Sequence, residues 1–231
     1  LGWLSRDVFV SRIECIRKFK SQELLKLGLR LYDGMMFGDL KRCQVDIETD
    51  AGKDGAFSNP YRDRVLAIGM KMGEHESLLC LESEDRDGET AMLERFVETL
   101  QTWDPDVIEG HNLFSFDLNY LKIRSRKRGV PCAWGRFGQE ASFRKSRLKV
   151  AERWIDFQRC DIPGRAVFDT YLMVQLYDIT ARDMPGYGLK AVARYFGVTR
   201  GLDHERTYIR GSEIHRQFRE DRDEFLRYLR D

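Results

Sequence analysis

Two acidic residues lie one residue apart inside a short apolar stretch, Asp46 and Glu48 in the segment CQVDIETD. Successive side chains of a β-strand point to opposite faces, so these two acids would share one face and Val45 and Ile47 the other. Acids on a strand that enters a core are unfavourable unless a counter-charge or a metal ion compensates them. The pair is therefore a candidate for chemistry.

A second polar motif follows in GHNLFSFDLNYL, where Asn112 stands in a predicted turn and Asp117 at the start of a predicted helix. A purely structural explanation exists, because an acid in the first helical turn faces the positive end of the helix dipole. Other Asp-x-Glu pairs occur at 87/89 and 203/205, so the pattern alone is weak. The first pair differs from them because it lies in an apolar strand and precedes this second motif.

The elements that must position these acids alternate between strands and helices. We predict strands over RCQVDIETD, RVLAIGMKMG, ESLLCLE and VIEGHN, and helices over residues 88–103 and 116–129. RAVFDTYLMVQLYD is predicted to begin as a strand and become a helix, and Asp169 at that junction is predicted to cap the helix. Residues 133–160 are predicted to be irregular and basic, and the charged tail, residues 211–231, to be one helix.

Composition excludes several classes of protein. The 231 residues are 42% hydrophobic and 33% charged with a net charge of +1, as in a globular chain without a strongly charged surface. Five scattered cysteines without a CxxC pair indicate a reducing compartment, and we expect a cytoplasmic protein. No apolar run approaches membrane-spanning length, so no membrane partner is expected.

The combination of DIET and GxNxxxFD resembles the first two motifs of the DEDD superfamily of 3′–5′ exonucleases, and in particular the proofreading domain of family B DNA polymerases. GRAVFDT and YGLKAVARYF also match that family. The resemblance implies an α/β fold of the ribonuclease-H-like type, a mixed five-stranded sheet flanked by helices. We expect a short β-rich N-terminal extension over residues 1–40 and an exonuclease domain over residues 41–231.

The resemblance also implies a cofactor and roles for the acids. Two Mg²⁺ or Mn²⁺ ions would bind carboxylate oxygens, the ligands that hard cations prefer. Asp46 would bridge both ions, Glu48 would hold the ion that activates water, and Asp117 would hold the ion on the leaving-group side. The implied partner is single-stranded DNA or a primer 3′ end, and the polymerase part of a longer parent chain.

The family pattern fails at its fourth carboxylate, which follows a Tyr by four residues or a His by five. Tyr228 would require an acid at position 232, whereas Asp231 stands three residues after it. Either the sequence is cut one residue before the fourth ligand, or Asp231 serves with Tyr228 at the shorter spacing. Both versions favour the tyrosine type of third motif, and the first predicts weak activity.

Four residues are candidates for contacts with nucleic acid. Asn112 and Phe116 match family positions that contact the terminal nucleotides, although Phe116 equally suits the core. Arg144 and Lys145 lie in a basic cluster that could follow a phosphate backbone or form a solvated surface.

Two other hypotheses keep the fold and change the function. A catalytically silent domain that binds nucleic acid or a partner is supported by the incomplete third motif. An endonuclease or an RNA-directed nuclease of the same fold is the second. Metal binding separates the first from an exonuclease, and a circular substrate separates the second.

Overall fold

Strand β1, Arg42–Thr49, lies in the middle of a five-stranded sheet in the computed structural model. The structure describes residues 34–50, 57–198, 209–210 and 213–230. Within these ranges no helix combines the length and apolar character needed to cross a bilayer. The unit that begins at Lys41 contains the sheet. The predicted N-terminal strand over residues 24–34 lies outside the described residues except for Gly34, and residues 34–40 form only a short 3-10 turn at Phe37–Asp39.

The sheet is mixed, as predicted. Besides β1 the sheet contains β2 (Val65–Met72), β3 (His75–Cys80), β4 (Val107–Gly110) and β7 (Ala166–Asp169). β1 runs antiparallel to β2, which runs antiparallel to β3. On its other side β1 is parallel to β4, which is parallel to β7, so the order is β3-β2-β1-β4-β7.

The burial of the strands follows their sequence patterns. β1 alternates, with Cys43, Val45 and Ile47 buried and the intervening polar side chains more exposed. β2 is apolar almost throughout and is buried on both faces, which is typical of a central strand covered on two sides.

In the described part of the chain, six helices accompany the sheet, namely α1 Arg86–Trp103, α2 Asp117–Arg128, α3 Thr170–Ala181, α4 Leu189–Tyr195, α5 Ile214–Glu220 and α6 Arg222–Arg230. α1 and α2 pack on one another and bury Phe96, Leu100, Leu118 and Leu121. Gly129, in the left-handed conformation at φ 76°, ends α2 as predicted.

Residues 133–160 are not irregular throughout, so that prediction is wrong. Ser142–Val150 (β5) and Arg153–Asp161 (β6) form a nine-pair antiparallel hairpin. The hairpin was missed because its two-residue turn, Ala151–Glu152, lacks the Gly or Asn that marks such turns, although Ala151 has a φ of 50°. Charged residues at eight of the 18 strand positions also hide the alternation.

The tail is also different from the prediction, because two helices replace one. The break falls at Asp221, whose backbone is non-helical and whose side chain accepts a hydrogen bond of 3.0 Å from the N–H of Glu224. An aspartate can cap a new helix in this way, since it satisfies an N–H that has no intrahelical partner.

A buried ion pair ties α1 to α2. The Glu89 carboxylate is fully buried and accepts hydrogen bonds from the guanidinium groups of Arg124, at 2.5 and 2.7 Å, and Arg128, at 2.5 Å. It also accepts from the backbone N–H of Val65 on β2 at 3.2 Å. The cluster therefore connects both helices to the sheet.

Glu89→Gln should destabilise the fold by about 3 kcal/mol, because it leaves the buried Arg124 guanidinium without a counter-charge. The exposed pair Arg95–Glu82 provides a control, since Glu82→Gln should cost less than about 1 kcal/mol. Denaturant unfolding of the two variants measures the difference. Equal losses would contradict the structural role given to Glu89.

Candidate active site

Asp46 and Glu48 share the face of β1 opposite to Ile47, as the alternation predicted. Their neighbours on β2 are small, because Asp46 pairs with Gly69 and Glu48 with Ala67. A cavity of about 420 Å³ opens beside Asp46. Gly69 lines this cavity together with residues of four further elements. They are Glu109 of β4 and the adjacent His111, Thr170 of α3, Leu189 of α4 and Leu229 of α6. Asp46 is therefore accessible to a ligand.

Asp117 reaches the same place from the first residue of α2. Its carboxylate is buried and accepts a hydrogen bond of 3.2 Å from the backbone N–H of Ile47, the residue between the two acids of β1. Asp46 and Asp117 are close enough for their charges to interact, as are Asp46 and Glu48. The structure thus brings together three acids that are separated by up to 71 positions in the sequence.

The turn before α2 is held by Asp169, at the end of β7. Its carboxylate is buried and accepts hydrogen bonds from the backbone N–H groups of Asn112 at 2.9 Å, Phe114 at 3.0 Å and Tyr171 at 2.9 Å. The last of these bonds is the predicted helix cap. The other two fix the turn that delivers Asp117, and Asn112 there adopts a left-handed conformation with φ 66°.

Gly110 is required at the start of this turn. A Cβ atom at that position would lie 2.7 Å from the carbonyl oxygen of Val45 on β1 and 2.9 Å from a side-chain carbon of Leu113. A larger residue would therefore push the turn away from β1.

The electrostatics of the site disfavour negative charge. Burial raises the pKa of Asp46 to about 6. Burial and the neighbouring Asp46 raise the pKa of Glu48 to about 8, against the opposing effects of Tyr228 and Lys190. Burial, and then Asp46, hold the pKa of Asp117 well above its usual range. A cation is the natural compensation for such a cluster.

Tyr228 on α6 contacts this cluster. Its hydroxyl shares a hydrogen bond with the Glu48 carboxylate, so the final described helix lies on the acidic face of β1. Asp231, the second candidate in the tail, lies outside the described residues. Lys190 on α4 adds a positive charge near Glu48, which the sequence did not reveal because a single lysine in a short helix has no distinguishing pattern.

The described residues contain no three His, Cys, Asp or Glu side chains that already converge as a metal site. The chemistry of the acids nevertheless suits a hard divalent cation, since all three offer the carboxylate oxygens that such cations prefer.

The predicted nucleic-acid contacts occupy two regions. Asn112 and Phe116 both lie in the turn before Asp117, and the half-buried Phe116 ring packs on Tyr120 with ring centroids 5.5 Å apart. Arg144 and Lys145 are exposed on β5, where successive side chains point to opposite faces. Arg144 is bound to Asp161 at 2.8 Å.

Comparison with known proteins agrees with this geometry. Residues 30–192 match the family described as "DNA polymerase family B, exonuclease domain". The chain is 26% identical to an Archaeoglobus fulgidus DNA polymerase over 79% of its own length and 20% of that protein. It is 37% identical to the bovine DNA polymerase delta catalytic subunit over 40% of its length and 10% of that protein.

A solved structure supports the fold. The family B DNA polymerase of Pyrobaculum calidifontis superposes with a TM-score of 0.65 and 28% identity, over 83% of this chain and 23% of that one. The fold and the family match thus define a domain of the polymerase-associated exonuclease class. The chain belongs to the family B DNA polymerase exonuclease-domain family. It spans about a fifth or less of the length of the curated relatives named above.

Asp117→Asn should stabilise the metal-free chain by about 1–2 kcal/mol at pH 8, because it removes a buried carboxyl that resists ionisation while keeping an acceptor for Ile47. The folded chain holds a proton on Asp117 that the unfolded chain releases, so stability falls as pH rises and the advantage of Asn should vanish near pH 4. Thermal unfolding in EDTA measures both effects.

Asp169→Asn is the matched control. Asp169 accepts three N–H groups and an amide cannot replace all of these bonds, so this variant should be less stable by about 1–3 kcal/mol. A loss of stability in both variants would contradict the conclusion that Asp117 resists ionisation whereas the Asp169 carboxylate is stabilised by its three N–H donors.

Proposed function

We propose that this domain is a metal-dependent 3′–5′ exonuclease that removes nucleotides from the 3′ ends of single-stranded DNA. The observation that carries the proposal is the meeting of Asp46, Glu48 and Asp117 around Ile47, with the Tyr228 hydroxyl on Glu48. The proposed context is the proofreading domain of a family B-like DNA polymerase, supported by the relatives, which are longer polymerase chains.

The proposed cofactor is a pair of Mg²⁺ or Mn²⁺ ions held by Asp46, Glu48, Asp117 and an acid of the tail. Bound there, two ions supply an activated water and neutralise the charge on the leaving oxygen. Asp46 would hold both ions, Glu48 would hold the ion on the water side, and Asp117 would hold the ion on the leaving-group side. Tyr228 would orient the attacking water, and its bond to Glu48 supports that role.

The proposal allows two positions for the fourth acid. In one, a residue at position 232 completes the site, four residues after Tyr228 on the same helical face. In the other, Asp231 completes it. Activity of the 231-residue chain that Asp231→Ala abolishes would establish the second.

Substrate contacts are proposed at two places, the turn before Asp117 and the hairpin. Asn112 and Phe116 lie in that turn and would contact the terminal nucleotides. Lys145 shares an outward face of the hairpin with Arg147 and Lys149, and such a basic strip suits a phosphate backbone. Arg144 is a weaker contact in this proposal, because it would have to exchange Asp161 for a phosphate.

A cytoplasmic location is part of the proposal. The cysteines among the described residues, Cys43, Cys80, Cys132 and Cys160, are all free thiols, which suits a reducing compartment.

A catalytically silent domain is the second candidate. The observation in its favour is that the described acids do not yet converge as a metal site. The crowding of three acids opposes it, since a scaffold without metal gains nothing from their repulsion. An endonuclease or an RNA-directed nuclease is the remaining alternative.

The test is digestion of a 5′-labelled single-stranded oligonucleotide in Mn²⁺. We expect a ladder that shortens from the 3′ end, is abolished by EDTA, and is lost at least about 100-fold in Asp46→Asn. Glu82→Gln, which changes an exposed acid that pairs with Arg95 away from the proposed site, is the control and should leave the rate unchanged.

The substrate panel decides between the alternatives. Cleavage of a circular strand would identify the enzyme as an endonuclease. Faster digestion of an RNA strand than of the DNA strand would identify it as an RNA-directed nuclease. No digestion by either this chain or one extended past residue 231 would favour the silent domain.

Lys145→Gln should weaken binding of a single-stranded oligonucleotide in EDTA by about two- to threefold and lower the slope of log affinity against log salt by about 0.7, the value for one phosphate contact. Arg144→Gln should change the slope less, because Asp161 already neutralises its guanidinium. Fluorescence anisotropy across a salt series measures both, and unchanged slopes in both variants would remove the hairpin from the binding surface.

A further inference from the structure

The helix pair α5–α6 carries Tyr228 to the acids, yet it follows a long connection from α4 and is interrupted at Asp221. The helix pair buries the apolar side chains of Ile214, Phe218 and Phe225 in the core. These contacts hold the pair on the domain. Apolar packing is not directional, however, so it does not by itself fix the rotation and height of α6 over Glu48.

Arg219 adds a directional contact at the end of α5. Its guanidinium donates to both oxygens of Glu84, at 2.7 and 2.8 Å, and to both oxygens of Asp50, at 2.8 and 3.3 Å. A third acceptor is the carbonyl oxygen of His215 at 3.1 Å. Bidentate geometry on two carboxylates fixes the planar guanidinium in position and orientation.

Asp50 lies directly after β1 and two residues after Glu48. The end of this one strand is therefore attached to the helix pair at two points, by Arg219 on Asp50 and by Tyr228 on Glu48. Glu84, which precedes α1, supplies the second anchor for Arg219 from a different part of the domain.

We propose that Arg219 is a positioning residue for the exonuclease reaction, which holds α6 so that the Tyr228 hydroxyl meets Glu48. The inference rests on the proposed function for its catalytic consequence, but its structural content is independent of activity. Arg219 contacts none of the three acids that would bind metal, so it acts only through the placement of the helix.

Arg216 provides a matched control one turn earlier on the same helix. It is exposed, and its ion pairs among the described residues are with Glu213 at 3.5 Å and Glu220 at 3.6 Å, both on or next to α5. Arg219→Gln and Arg216→Gln therefore remove the same charge from the same helix, and only the first removes a connection to β1.

The first measurement is amide hydrogen exchange of the full chain in EDTA. In Arg219→Gln the amides of residues 222–230 should exchange about tenfold faster, while those of β2 remain protected and show that the domain is folded. Arg216→Gln should match the unaltered chain. Unchanged exchange of residues 222–230 in Arg219→Gln would overturn the proposal, whether or not the domain is an active nuclease.

The second measurement is kinetic and tests the route of action. Arg219→Gln should lower kcat about tenfold with little change in KM, since a displaced hydroxyl impairs orientation and not substrate binding. In a Tyr228→Phe background the same substitution should change kcat less than about twofold. If Arg219→Gln lowered kcat by the same factor with and without Tyr228→Phe, the claim that Arg219 acts through Tyr228 would be overturned. Inactivity of the unaltered chain would count against the proposed function and leave the exchange result to decide the role of Arg219.

Discussion

Repulsion among three neighbouring carboxylates is the constraint on which the rest of this domain depends. Desolvation raises the pKa of Asp46, Glu48 and Asp117, and the charge of Asp46 adds to this effect at Glu48 and at Asp117. The sheet nevertheless holds the three acids together. A central strand makes this possible, since β1 is bonded on both sides and cannot move away from the helix that brings Asp117. Small neighbours on β2, Gly69 and Ala67, flank the two strand acids.

The interactions that hold the three acids in place are made by neighbouring residues. Asp169 binds three backbone N–H groups and fixes the turn before Asp117, and Gly110 allows that turn to approach β1. Arg219 and Tyr228 attach the last helices to the end of the same strand. The domain thus combines a crowded acid cluster, whose charge Tyr228 and Lys190 offset only in part, with satisfied polar groups around it. Such an arrangement suits the binding of a cation and exchanges stability for function.

The sequence predicted what depends on local pattern. Alternation in CQVDIET placed Asp46 and Glu48 on one face, Gly129 ended α2, and Asp169 capped α3. What it could not predict depends on unmarked turns or distant partners. Ala151–Glu152 turns a hairpin without the usual residues, and Asp221 divides the tail where charge suggested one helix. Arg219 meets Asp50 across 169 positions of the chain, and no local periodicity reports such a contact.

The central claim is that the acid cluster exists to bind divalent cations, and Mn²⁺ binding followed by electron paramagnetic resonance tests it most directly. Titration of the 231-residue chain, with Asp46→Asn and Asp156→Asn beside it, separates the cluster from surface acids. We predict saturable binding in the unaltered chain and in Asp156→Asn, and a loss of at least about tenfold in affinity in Asp46→Asn. Equal binding by all three proteins would contradict the account.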